Sequence, residues 1–143
     1  MAEERARLTL AGKLLSVLLI LGLIGTGIYV VGRGNLVRRN LVLATGGGTS
    51  QGANPSAYGI WVNGLDPRVV DNDVVLVYGQ GAGRGTAIFL SNDVRDAIVV
   101  ENRLSRSDYG VRFWGFATGK YRDTLTSGVG TPFTNGTDAG GNN

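Results

Sequence analysis

The chain has 143 residues, enough for one domain with attachments, and a formal net charge of +3. It contains no Cys and no His, which removes disulfides, thiolate metal sites, the commonest general base and the commonest metal ligand. Residues 33–39 hold Arg33, Arg38 and Arg39 with no acid, whereas the chain from Asn40 onward holds eight Lys/Arg against nine Asp/Glu, so the folded part offers no basic face for nucleic acid.

Residues 1–13 form a short leading segment. Residues 14–32, LLSVLLILGLIGTGIYVVG, carry no charge. As a helix rising about 1.5 Å per residue they would span roughly 28 Å, close to a hydrocarbon core of about 30 Å. Lys13 and Arg33 bracket the run, and Tyr29 lies near one end, where interfacial aromatics are favoured. The expectation is a single-pass transmembrane helix, retained as a signal anchor because no good small-x-small cleavage site follows. Basic residues nearly balance across the run. The N-terminal amine and the short leading segment place the N-terminus in the cytoplasm and the rest in the periplasm or outside the cell. Gly22, Gly25 and Thr26 fall at i, i+3 and i+4 with Tyr29 at i+7, a small-residue face suited to packing on another membrane helix.

Residues 33–57 read as a juxtamembrane strand and a Gly-rich loop. Residues 58–125 carry apolar runs bounded by turn residues, at 58–64, 73–79, 86–91, 97–102 and 110–119. They are short and rich in Val, Ile and aromatics, which predicts a small antiparallel β domain, a sandwich or barrel. Asn92 fits a helix cap, but the β-branched run 98–100 favours a strand after it. No internal repeat is evident. Residues 126–143 are rich in Gly, Thr and Asn, with Val129 and Phe133 as the only large apolar side chains. They read as a polar C-terminal arm that needs a partner to become ordered.

The Gly-rich stretch YGQGAGRGTA, at 78–87, fits neither register of a dinucleotide fingerprint, and no Gly-Lys-Ser/Thr follows it. It reads as a hairpin loop with Arg84 at its tip, and no nucleotide or other cofactor is expected. The aromatic runs IWVNGL and RFWGFATG lack the pattern of base-stacking RNA strands. Asp71 and Asp73 lack the alternation of a calcium loop, so no metal is expected. The expected function is therefore structural and non-enzymatic. The protein reads as an accessory subunit whose extracytoplasmic β domain docks on integral membrane proteins of a larger complex, with Arg84, Trp114, Phe116 and Phe133 as candidate contacts. Photosynthetic or respiratory assemblies, secretion machines and virion membranes are not distinguished. The alternative is a membrane-anchored binding module for a solute, glycan or peptide, in which Trp61, Trp114 and Arg84 line the site.

Overall fold

The computed structural model describes residues 26–47 and 53–143. Twelve strands follow one another with no helix among the described residues: β1 (Thr26–Val31), β2 (Leu36–Arg38), β3 (Leu41–Gly46), β4 (Ala57–Asn63), β5 (Arg68–Val70), β6 (Asp73–Tyr78), β7 (Gly85–Leu90), β8 (Ala97–Val100), β9 (Arg103–Phe113), β10 (Gly119–Arg122), β11 (Leu125–Thr134) and β12 (Thr137–Asp138). Every strand pairing is parallel. The expected antiparallel domain is thus corrected. Alternating apolar and polar residues report one buried face per strand, and they say nothing about strand direction.

Each strand pairs with the strand about one circuit later. Leu41 stands over Asp73, Asp73 over Arg103, and Arg103 over Leu125, steps of 32, 30 and 22 residues. The chain therefore winds as a three-sided parallel β-solenoid. Face 1 stacks β1, β4, β7 and the second halves of β9 and β11. Face 2 stacks β2, β5, β8, β10 and β12. Face 3 stacks β3, β6 and the first halves of β9 and β11.

The circuits shorten at one corner. Between faces 3 and 1 the connection falls from residues 47–56 to 79–84, and then to the single residues Asp108 and Gly130 inside β9 and β11. The Gly-rich stretch is this corner, and it joins two faces where a hairpin was expected. Its glycines allow close stacking on the preceding corner. A Cβ on Gly83 would lie 2.1 Å from the Pro55 carbonyl oxygen, and Gly81 has φ +59°.

The interior is a set of aliphatic columns. Ile28, Ile60, Ile88 and Val111 align on face 1, Val37, Val69 and Val99 on face 2, and Val42, Val74 and Leu104 on face 3. From the second circuit to the fourth these side chains are almost fully buried. Residues 126–143, expected to need a partner, belong to this same stack. β11 pairs with β9, Phe133 stacks on Tyr121 at 4.5 Å, and the Asn143 carbonyl accepts from Thr126 Oγ1 at 2.8 Å. Burial, then the nearby Asp138, pushes the Tyr121 phenol up from its ordinary range.

Faces 2 and 3 meet at two-residue corners: Arg39-Asn40, Asp71-Asn72, Glu101-Asn102 and Asp123-Thr124. The first residue of each is left-handed, with φ of 48° to 56°. The second points inward and forms a ladder. Asn40 N–H donates to Asn72 Oδ1 at 3.0 Å, and Asn72 N–H donates to Asn102 Oδ1 at 3.1 Å. Asn72 Nδ2 donates to the Val37 and Val70 carbonyls, and Asn102 Nδ2 to those of Val69 and Val100. In the last circuit Thr124 N–H donates to Asn142 Oδ1 at 3.1 Å. Outside the ladder, Arg103 bridges Asp71 and Asp73. Its hydrogen bond to Asp73 holds that carboxyl below the usual range. The contribution of this pair is present above the ordinary carboxylate pKa and is lost as pH falls through the lowered one. Solvent screening keeps it small.

Two stability predictions follow from these corners. Asn72→Ala leaves the Asn40 amide without its Oδ1 acceptor and takes one donor each from the Val37 and Val70 carbonyls, Val70 keeping the Arg39 N–H, and should cost about 2–3 kcal/mol in urea unfolding. Leu76 occupies a second left-handed column with Ala44, Arg106 and Gly128, at φ 61°. A left-handed conformation costs a branched residue roughly 1–2 kcal/mol, so Leu76→Asn should raise the urea midpoint by an amount worth about 0.5–1 kcal/mol at unchanged slope.

Candidate binding face

The outward side of face 1 concentrates the aromatic residues. Each strand there places two consecutive residues inward, so its outward positions fall three apart. A Cβ on Gly27 would meet Val42 and one on Gly59 would meet Val74, both core side chains, while Ile28 and Ile60 also pack inward. These small residues, with Ala87 and Gly110 in the later circuits, free the flanking positions to face out. Two outward columns result. One is Tyr58, Thr86, Tyr109 and Thr131, headed by Thr26, and the other is Tyr29, Trp61, Phe89, Arg112 and Thr134.

The rings touch one another along and across these columns. Tyr29 meets Trp61 edge-on at 5.4 Å, and Trp61 meets Phe89 edge-on at 5.5 Å. Tyr58 lies 4.8 Å from Trp61 and 4.7 Å from Phe89. Trp114, at the corner after β9, lies 6.5 Å from Phe89. This mutual cover leaves Phe89 only 7% exposed although it faces away from the core, whereas Trp114 is 50% and Phe116 76% exposed. The Arg112 guanidinium sits over Tyr109 at 4.3 Å and over Trp114 at 4.5 Å. It has no carboxylate partner among the described residues. Trp61 Nε1, Arg112 Nε and Thr134 Oγ1, all in one column, are buried without a hydrogen-bond partner.

At the opposite edge of the face, Arg84, Asp108, Tyr109, Gly130 and Thr131 line a cleft of about 290 Å³. Arg84 approaches Asp108 at 3.7 Å, and Asp108 Oδ2 accepts from the Gly85 amide at 2.7 Å. A larger cavity, about 570 Å³, opens on face 2 between Asp66, Arg68 and Asp96. It has no aromatic lining, and Asp66 is taken by Arg33 at 2.9 Å.

The structure gathers some of the sequence-predicted contacts and separates others. Trp114 and Phe116 share one corner, with the Phe116 amide donating to Asn92 Oδ1. Arg84 borders the same face on its far side. Phe133 turns inward against Tyr121 and takes no part. The expected helix over 14–32 is corrected at its C-terminal end, because residues 26–31 form β1: Thr26 and Tyr29 lie on that strand and not on a small-residue helix face, while Gly22 and Gly25 lie outside the described residues. Tyr29, Tyr58, Phe89, Tyr109 and Arg112 were not read as members of one surface. Their signal is the recurrence of TGIYVV, YGIWVN, TAIFLS and YGVRFW at 26, 58, 86 and 109. No protein-family model, curated protein or solved structure matches the chain.

Phe89 locks the ring cluster, touching Tyr58, Trp61 and Trp114. Phe89→Ala should cost about 3 kcal/mol in thermal or urea unfolding, and should red-shift tryptophan emission in the folded state as Trp61 gains water.

Proposed function

We propose that the protein is a non-enzymatic, membrane-anchored binding module that holds an extended glycan along face 1 outside the cytoplasm. The observation that carries this reading is the continuous outward strip of rings from Tyr29 to Trp114, with Arg112 among them and Thr131 exposed at the edge. Rings offer flat apolar contact at low entropic cost, and hydroxyls and a guanidinium offer hydrogen bonds beside them. A sugar chain presents the matching surface, with C–H faces and O–H edges.

Two other ligand classes fit less well. An extended peptide is usually held by main-chain bonds at a sheet edge. Along face 1 the backbone groups are already engaged from circuit to circuit, so only side chains face a ligand. Single-stranded nucleic acid stacks on rings but needs a basic groove, and the cations here are Arg112 and an Arg84 shared with Asp108. An accessory subunit would use the same face through the half-exposed Trp114 and the exposed Phe116. β1 takes residues 26–31 of the uncharged run, so residues 14–25 are what is left for membrane attachment; as a helix they would reach about 18 Å, short of a full span, which makes the proposed attachment interfacial.

The test is glycan-array screening of the full chain, followed by titration of tryptophan fluorescence with the retained oligosaccharides. Trp114→Ala removes a half-exposed ring, so it should shift stability by less than about 1 kcal/mol and abolish binding measured by titration calorimetry, a readout that does not depend on losing one of the two tryptophans. An array with no retained glycan, or unchanged affinity in Trp114→Ala, refutes the reading.

A further inference from the structure

The first circuit differs from those above it on all three faces at once. Its outward residues Tyr29, Val31, Leu36, Leu41 and Leu43 are apolar and between 39% and 64% exposed. Their counterparts one circuit on include Asn63 below Val31, Arg68 below Leu36 and Asp73 below Leu41. Two circuits on, Arg103 and Ser105 follow in the columns of Leu41 and Leu43. Register therefore excludes strand propensity as the cause, because the same backbone positions accept polar residues elsewhere. Single apolar residues recur in these columns, as at Val75, Ile98 and Leu125, but only the first circuit carries an apolar side chain at every one of them.

Two further facts identify what it faces. The described part of this circuit, residues 26–47, contains Arg33, Arg38 and Arg39 and no acid. Arg38 has no carboxylate partner among the described residues, and the pairs of Arg33 and Arg39 are exposed surface pairs. Immediately before β1 lies the uncharged stretch 14–25. We propose that the first circuit rests in the interfacial layer of an anionic lipid bilayer, with its leucine belt against the acyl boundary and its arginines at the phosphates. One circuit is about 4.8 Å thick, which matches the 5–10 Å depth to which apolar groups of interfacial elements sink. The adjoining apolar stretch delivers the circuit to that layer. The belt meets the rings of face 1 at Tyr29 alone, and the inference does not depend on what that face binds.

The chain has no cysteine, so single substitutions give unique labels. Leu36→Cys, Leu43→Cys, Ser105→Cys and Ser127→Cys in the full chain would each carry an environment-sensitive fluorophore. The last three share one outward column. Vesicles of phosphatidylcholine and phosphatidylglycerol with acyl-chain nitroxides provide the readout. The expected result is blue-shifted, quenched emission at 36 and 43 on adding vesicles, and unchanged emission at 105 and 127. Labels at 36 and 43 that stay as water-exposed as those at 105 and 127 would overturn the proposal. Labels already shielded before vesicles are added would also overturn it, because the cover would then be protein, either a second copy or the chain's own N-terminal residues. Having two sites on different faces keeps the test decisive if one variant folds poorly.

Discussion

Parallel pairing from circuit to circuit is the constraint on which everything else rests. It sets each residue directly over a counterpart about 4.8 Å away, so the structure is selected column by column. A column works when its members tolerate identical surroundings. Valine and isoleucine columns fill the interior because β-branched side chains pack well on a pleated surface. The asparagine column works because each side chain both accepts from the preceding rung and donates to nearby carbonyls. Opposite charges stack at Arg39 over Asp71 and at Asp73 over Arg103, whereas the corner column continues through the acids Asp71, Glu101 and Asp123.

The same constraint creates the ring face. Aromatic residues in register touch edge-to-face and shield one another, so a ring pointing away from the core can still be nearly buried. Such a surface is held rigid by its own contacts before any ligand arrives. Preorganisation of this kind lowers the ordering cost of binding. It depends on Gly27, Gly59 and Gly110, whose missing side chains permit the doubled inward step.

Much of the strand content was legible in the sequence, since the runs at 58–64, 73–79, 86–91 and 97–102 fall on β4, β6, β7 and β8. Strand direction was not legible, because a half-buried parallel strand alternates just as an antiparallel one does. The distinguishing signal was a repeat, and two features hid it. The corner between faces 3 and 1 loses residues along the chain, so the step drifts from 32 to 22. The first copy, TGIYVV, also lies inside an uncharged run with the length of a membrane span, although its β-branched Ile28, Val30 and Val31 suit the strand they form. The C-terminal residues misled for a related reason. Their polarity suits hydrogen bonding to the rung below, as Asn142 does with Thr124, and order there does not need a large apolar anchor.

The shortening of successive circuits also changes how firmly the rungs are tied together along the stack. Closing a 22-residue loop costs about 0.3 kcal/mol less entropy than closing one of 32, and β9 and β11, at 11 and 10 residues, are the longest strands and pair with each other. In these two rungs the backbone runs unbroken across faces 3 and 1, with Asp108 and Gly130 in place of a corner loop. A pull along the strands is carried there by paired main chain, whereas in the earlier circuits it must pass through the Gly-rich corner.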